Sequence, residues 1–259
     1  MKKLTLVIVI LLLCSCTGKK VENTSIKEIK GPPTKDSIKV RISTITEYNY
    51  SVVDKFGETQ KGNIVSKHTC KYNDNGNITE ENRYKPDGSL DSKWISKYDD
   101  KGNETETNYY HPDGSLDFKM IYKYDDKGNQ IEENCYKPDG SLLYKMTYKC
   151  DDKGNQIEAK EYSSDGSLDV KYICEYDDKG NETEENSYKP DGSLAYKWIK
   201  KYDDKGNKTE ENTYNSDGSL DYKMTYKYDE YNKNDHWLNK IEFKNDVPIT
   251  ITERTIEYF

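Results

Sequence analysis

Glutamate occupies one position of a strictly spaced repeat in this 259-residue chain, among tyrosine, tryptophan and methionine. The six copies are Glu80, Glu106, Glu132, Glu158, Glu184 and Glu210. Two carboxylates that flank one glycosidic bond can act as acid and nucleophile, as in glycoside hydrolases. Six equivalent copies instead indicate a repeated scaffold, because an active site is normally singular. The sequence therefore predicts a protein that is not an enzyme.

The alternation of residues places each of these glutamates on the same sheet face as aromatic and methionine side chains. A carboxylate in such surroundings needs a hydrogen-bond partner or water, because burying an unpaired charge is costly. A neighbouring tyrosine hydroxyl would meet that need structurally, and so would a bound sugar ring or cationic ligand. The candidate ligand lane consists of Trp94, Trp198, Tyr122, Tyr148, Tyr172, Glu106, Glu132, Glu158 and Glu184.

Metal-ligand spacings are missing from the sequence, which contains no C-x-x-C and no complete calcium loop. The three histidines, His68, His111 and His236, occupy unrelated repeat positions. We therefore predict no metal and no cofactor. Cys150 and Cys174 are expected in one row about 10 Å apart, which is too far for a disulfide, so we predict none.

The N-terminus has the pattern of an export signal. Two lysines precede an apolar run that is too short to span a bilayer, and Leu13-Cys14-Ser15-Cys16 resembles a bacterial lipobox. That resemblance predicts a signal peptide over residues 1–15 and a lipid on Cys16; the alternative is an ordinary secretory signal. Residues 16–37 are polar and contain two prolines, which favours a flexible tether to the membrane.

Composition argues against nucleic acid as a partner. The formal net charge is −8, whereas phosphate neutralisation requires basic patches. Charged residues make up 34% of the chain, yet its 24 tyrosines supply large rings with polar tips. Such rings favour a folded repeat array over a disordered chain.

Two glycine turns recur every 26 residues, the first in "DDKGN" and the second in "PDGS" or "SDGS". Both fit a type I turn followed by glycine in the left-handed region, which joins two antiparallel strands. Each repeat is therefore predicted to be a β-hairpin, with Tyr124 opposite Gln130 and Tyr136 opposite Leu142. Six repeats span 72–228, between capping strands at 38–71 and a capping hairpin at 229–259.

The alternation also predicts one aromatic face and one charged face. On the charged face one lysine per repeat is expected to meet a glutamate, for example Lys145 opposite Glu133, and Cys135 is expected there too. The register should advance by about two residues per hairpin, so the strands tilt by about 35°, as in barrels. The predicted fold is all-β, a curling antiparallel meander with its aromatic face concave. The sequence leaves open whether it is an open coil or barrel-like.

The recurring "YKYDDKGN" followed by "DGSL" resembles the tyrosine-aspartate (YD, or RHS-type) repeat family over Tyr72 to Tyr228. The resemblance implies β-hairpins that coil into a hollow shell, and some members are linked to surface adhesion or carbohydrate binding. The sequence thus predicts a lipid-anchored cell-envelope protein, with the outer membrane expected, that binds glycan or protein without catalysis. The alternative is a structural spacer or immunity-type protein with no small-molecule ligand.

Overall fold

The computed structural model describes residues 41–259, which form sixteen antiparallel strands in one closed barrel. The strands are β1 (Ile42–Lys55), β2 (Glu58–Tyr72), β3 (Ile78–Tyr84), β4 (Leu90–Tyr98), β5 (Glu104–Tyr110), β6 (Leu116–Tyr124), β7 (Gln130–Tyr136), β8 (Leu142–Cys150), β9 (Gln156–Ser163), β10 (Leu168–Tyr176), β11 (Glu182–Tyr188), β12 (Leu194–Tyr202), β13 (Lys208–Asn215), β14 (Leu220–Tyr231), β15 (Trp237–Lys244) and β16 (Val247–Tyr258). Each strand pairs with its neighbour in the chain, and β1 pairs with β16. The all-β meander is confirmed, and it closes.

The signal peptide predicted at 1–15, the lipidation site at Cys16 and the tether over 16–37 lie outside the described residues. Within residues 41–259 there is no helix long and apolar enough to cross a membrane.

The glycine turns have the predicted hairpin geometry. In the DDKGN turn, the Asp125 backbone N–H donates to the Asn129 carbonyl at 2.9 Å, and the Gly128 N–H donates to the Asp125 carbonyl at 3.0 Å. Gly128 has φ +85°, a left-handed conformation that costs a residue with a Cβ about 1–2 kcal/mol. The Asp125 carboxylate also accepts the Asn129 N–H at 2.8 Å. The turn is thus specified by its own few residues.

The register beside each turn is as predicted, and a β-bulge then changes it. Tyr124 pairs with Gln130, and Tyr136 pairs with Leu142. The next pair after Tyr124 is Lys123 with Glu132, so Ile131 is an extra residue on β7. An extra residue on one strand exchanges the faces that follow it.

Because of this bulge, the faces predicted for the lane glutamates and for Cys135 are wrong, and so are the predicted lysine partners. The glutamates expected in the aromatic lane lie on the opposite face, because each comes directly after the extra residue of its strand. They are Glu106, Glu132, Glu158 and Glu184. The lysines of the charged face contact these glutamates and not the glutamates that follow them in the chain. Lys145 Nζ, for example, lies 2.6 Å from a Glu132 oxygen and not beside Glu133. Cys135, expected on the charged face, pairs with Tyr144 and is buried at 1% exposure.

The strand tilt follows from the register. Glu106 pairs with Lys97 on one side and Ile121 on the other, and the repeat equivalent of Lys97 is Lys123, two residues further on. This advance gives the predicted tilt of about 35°. Sixteen strands at that tilt and about 4.8 Å apart close into a wall with a radius of about 15 Å. Extensive backbone contact occurs only between neighbouring strands, so the wall is a single layer.

A repeated tyrosine near the end of four of the long repeat strands satisfies a bulge carbonyl, whereas in β8 the equivalent residue is Cys150. The hydroxyls of Tyr98, Tyr176, Tyr202 and Tyr228 donate to the carbonyls of Ile78, Gln156, Glu182 and Lys208, at 2.6–2.9 Å. Each carbonyl belongs to the first residue of the preceding strand, where the ladder is interrupted. Because a buried carbonyl without a donor is costly, this tyrosine stabilises the bulge that sets the two faces.

The terminal strands close the ring. Arg254 on β16 donates from Nε to the Glu47 carboxylate on β1 at 2.9 Å, and both side chains are largely buried. Thr252 donates from its hydroxyl to Asn49 at 2.8 Å beside them. The predicted capping segments therefore form the seam of the barrel.

In the N-terminal capping segment, Lys61-Gly62-Asn63-Ile64 resembles a glycine turn of the repeat and predicts a turn there. This prediction is wrong, because β2 runs through these residues and the turn lies at Phe56 and Gly57. Gly62 instead permits close strand approach, since a Cβ there would lie 2.4 Å from the Ser51 hydroxyl oxygen. The hairpin predicted around Asn245 and Asp246 is confirmed.

Candidate functional site

The barrel has a charged outer face and an aromatic inner face, which we call the lumen wall. Exposed lysines, such as Lys97 and Lys123, mark the outside. On the alternate positions of the same strands Trp94 is 8% exposed and Met120 is 3% exposed. Of the predicted ligand lane, Trp94, Trp198, Tyr122, Tyr148 and Tyr172 lie on the lumen wall.

The four lane glutamates belong to the outer face, where they form the outer glutamate row together with Glu80 and Glu210. Glu132 is typical: it contacts Lys123 Nζ at 2.6 Å and Lys145 Nζ at 2.6 Å, and it accepts a hydrogen bond from the Asn134 amide at 2.7 Å. Hydrogen bonds from the two lysines and from Asn134 lower the Glu132 pKa from 4.5 to about 2. The row is therefore a structural ladder of ion pairs.

Other glutamates, which the sequence analysis missed as site residues, line the lumen. Glu81, Glu104, Glu133 and Glu161 face inward on β3, β5, β7 and β9 and form what we call the lumenal acidic arc. Burial raises the pKa of Glu133, although the hydroxyls of Tyr144 and Tyr148 donate to it at 3.0 and 3.2 Å. Burial likewise raises the pKa values of Glu104 and Glu161. Only the bulge position, which alternation does not reveal, distinguishes this arc from the outer row.

On β11 and β12 the lumen wall carries a buried amine between two carboxylates. Lys200 on β12 donates to Glu182, and its Nζ lies 3.0 Å from a Glu185 oxygen. Burial alone would lower the pKa of Lys200, but the Glu185 and Glu182 carboxylates raise it well above its ordinary value. This buried triad keeps a charged amine facing the lumen.

Aromatic rings stack on each other between the strands of the acidic arc. The Tyr109 ring lies 4.6 Å from Trp94 and 4.7 Å from Phe118, between ring centroids, and the Arg83 guanidinium lies 4.8 Å over the Trp94 ring. The buried Trp94 indole N–H has no hydrogen-bond acceptor among the described residues. These packed rings therefore place apolar surface and a polar donor on the same part of the lumen wall.

Part of the lumen wall is open to solvent. Tyr196 lies beside Trp198 on β12, with ring centroids 5.9 Å apart, and both face the lumen. Trp198 is 8% exposed, whereas Tyr196 is 43% exposed. The lumen therefore admits solvent at this ring, as a binding surface requires.

Three different metal-ligand side chains meet on β2 and β3. His68 and Cys70 share a face two residues apart, and Glu81 pairs with Cys70 across the strands. The spacing of the three histidines does not reveal this cluster, because Glu81 comes from the next strand. No disulfide joins any of the four described cysteines, Cys70, Cys135, Cys150 and Cys174.

Comparison with known proteins supports the fold. The chain is similar to a porin-like protein from Bacteroides uniformis, with a TM-score of 0.54, 12% identity, and coverage of 83% of this chain and 98% of that one. Weaker similarities are to a DUF1329 family protein from Desulfovibrio piger and to the Photorhabdus luminescens Tc holotoxin pore. The first has a TM-score of 0.29 and 9% identity, and the match covers 84% of this chain and 86% of that one. The second has a TM-score of 0.22 and 10% identity, and the match covers 83% of this chain and 16% of that one. No family model and no curated protein matches the sequence.

Proposed function

We propose that this protein is a lipid-anchored barrel of the bacterial cell envelope that binds a glycan in its lumen without catalysis. The observation that carries the proposal is the lumen wall itself, where a solvent-exposed tyrosine and stacked aromatic rings lie on the same inner face as carboxylates. Aromatic rings can stack on the apolar faces of sugar rings, and carboxylates accept hydrogen bonds from sugar hydroxyls. A few placed polar groups in a largely aromatic concavity are typical of ligand sites.

The outer face supports a position in water, beside the membrane. A barrel that spans a bilayer presents an apolar band about 25 Å tall, and a lysine at the midplane costs about 2–4 kcal/mol. Here the middle of the outer face carries the outer glutamate row and its lysines, including Lys145 and Lys197. Acyl chains on Cys16, with residues 16–37 as a tether, would hold such a barrel at the membrane surface.

Lumen size favours an extended polar ligand. The backbone radius of about 15 Å exceeds what side chains of one wall can fill, and barrels with this number of strands commonly leave an aqueous interior. The lumenal acidic arc and the buried Lys200 make that interior polar. Protein partners would instead meet the outer face and the turns. The lumen wall is therefore the surface we assign to glycan binding.

A glycan array probed with the purified full chain tests this proposal. Binding to a defined set of glycans is expected, and Tyr196→Ala should weaken it at least tenfold, because it removes an exposed lumenal ring. Tyr136→Ala, on the outer face, is the matched control and should leave binding unchanged. Trp198→Ala extends the test to the adjacent buried ring, with β circular dichroism as the check on folding.

Two results would contradict the proposal. Equal loss of binding in Tyr196→Ala and Tyr136→Ala would place the glycan outside the lumen. No binding to any glycan would favour the structural spacer. Anchoring is tested separately, since Cys16→Ser should release the protein from membranes while leaving glycan binding intact.

A further inference from the structure

The inner face of β2 and β3 brings together an imidazole, a thiol and a carboxylate. His68 and Cys70 are 6% and 1% exposed, and Glu81 is half-buried opposite Cys70. Because all three side chains project from paired strands, the backbone ladder fixes their relative positions. A site built on such rigid elements needs little reorganisation to bind an ion.

The distances between the donor atoms suit one small ion. His68 Nε2 lies 3.1 Å from a Glu81 oxygen and 3.7 Å from Cys70 Sγ. All three donor atoms lie within 4.8 Å of one another. Tetrahedral zinc with Zn–N and Zn–O bonds near 2.0–2.1 Å and a Zn–S bond near 2.3 Å requires donors about 3.3–3.6 Å apart. The two separations from His68 Nε2 lie close to this range. Cys70 Sγ and the Glu81 oxygen, which lie within 4.8 Å, would reach it by rotation of the side chains without a change of backbone.

Two charged side chains, Arg83 and Glu47, flank the three donors. Arg83 pairs with His68 across the strands, and its guanidinium lies over the Trp94 ring on β4, beyond β3. Glu47 pairs with His68 from the other side and accepts a hydrogen bond from Arg254. The three donors are therefore flanked by groups whose contacts with other residues hold them in place.

We propose that His68, Cys70 and Glu81 form a binding site for a divalent transition metal ion, with zinc as the best fit. Mixed nitrogen, sulphur and oxygen donors suit zinc, whereas calcium and magnesium prefer oxygen alone. Three protein ligands leave a fourth position for water from the lumen. Binding requires a thiolate and a neutral imidazole, so the Cys70 thiol proton and any proton shared by His68 and Glu81 pass to the buffer.

Cobalt(II), a spectroscopic substitute for zinc, tests the site in the full chain. One ion per chain is expected, with the strong visible absorption of tetrahedral cobalt and a sulphur-to-metal charge-transfer band, and zinc should displace it. Cys70→Ser should abolish the charge-transfer band and weaken binding at least tenfold, and His68→Ala and Glu81→Gln should also weaken it. Cys150→Ser, at a half-buried cysteine elsewhere, is the matched control and should bind as the unchanged protein does.

Several outcomes would overturn the site. These are weak octahedral absorption without a sulphur band, binding that survives Cys70→Ser, or loss of the band in Cys150→Ser. If Cys70→Ser does not fold, X-ray absorption of the zinc-loaded unchanged protein decides instead. A first shell with one sulphur supports the site, and a shell of only oxygen and nitrogen refutes it. Glycan binding is measured independently, so failure of either proposal leaves the other intact.

Discussion

Glu132→Gln isolates the contribution of the outer glutamate row to stability. The glutamate is 18% exposed and contacts Lys123, Lys145 and Asn134. Glutamine keeps the size of the side chain and removes its charge. The variant therefore loses two ion pairs with little change in packing.

The expected loss of stability in Glu132→Gln follows from the pKa of Glu132. Hydrogen bonds from Lys123, Lys145 and Asn134 lower the Glu132 pKa from 4.5 to about 2 in the folded protein. A shift of that size corresponds to about 3 kcal/mol at full value, and solvent screening at the outer face reduces it to about 1 kcal/mol. Because the folded pKa is the lower one, this stabilisation is complete above about pH 4.5 and is lost as the pH falls towards 2.

Urea unfolding at pH 7 and near pH 2 measures the effect. Glu132→Gln is expected to lower the free energy of unfolding by about 1 kcal/mol at pH 7, which is about 2–4 °C in Tm for a domain of this size. Near pH 2 the variant and the unchanged protein should have nearly the same free energy of unfolding. Glu175→Gln is the matched control. This exposed glutamate occupies the repeat position at which Lys123 lies in its own repeat.

A destabilisation by Glu132→Gln that is equal at both pH values would refute this reasoning, because it would show a packing effect in place of a charge effect. An equal effect in Glu175→Gln at pH 7 would refute it too, since a general change in surface charge would then explain the result.

Three further substitutions test other parts of the barrel. Tyr202→Phe removes the hydroxyl that donates to a bulge carbonyl and should cost about 1–2 kcal/mol in urea unfolding, whereas the outer-face Tyr136→Phe should cost less than about 0.5 kcal/mol. Gly128→Ala imposes a positive φ on alanine and should lower the free energy of unfolding by about 1–2 kcal/mol, with a fall in Tm. Arg254→Met leaves the buried Glu47 carboxylate without its partner and should cost about 3–5 kcal/mol. Adding Glu47→Gln should recover much of that loss. An unchanged Tm in Tyr202→Phe, Gly128→Ala or Arg254→Met would contradict the cause stated for that variant.

The lumenal carboxylates respond to pH in the opposite direction from the outer row. Burial raises the pKa values of Glu104 and Glu133, so ionising these groups as the pH rises costs stability. Two chemically identical sets of glutamate thus differ because one meets lysine and water outside and the other is buried on the lumen wall.

Local sequence was a reliable guide to the turns and to the tilt. The DDKGN segment contains its own hydrogen-bonding groups, and Gly128 adopts the left-handed conformation that the turn requires. The register beside each turn, and its advance of two residues per hairpin, followed from counting residues between glycines. These features depend only on residues close together in the chain.

The faces of the short strands were not predictable in the same way. Ile131 is an extra residue in the pairing of β7 with β6, and it moves Glu132 outward and Glu133 inward. A bulge depends on hydrogen bonds on both sides of a strand, which in β3, β9, β11 and β13 include one from a tyrosine hydroxyl on the following strand. The alternation of residues along one strand does not reveal the bulge.

The sequence alone determined the all-β repeat, the hairpin turns and the strand tilt, because each depends on short stretches of chain. Tertiary structure alone decided that sixteen strands close, that Arg254 meets Glu47 at the seam, and that His68 lies beside Glu81. Closure depends on twist and register accumulated over all the strands, so no single repeat specifies it. The same accumulation determines which side chains enclose the lumen.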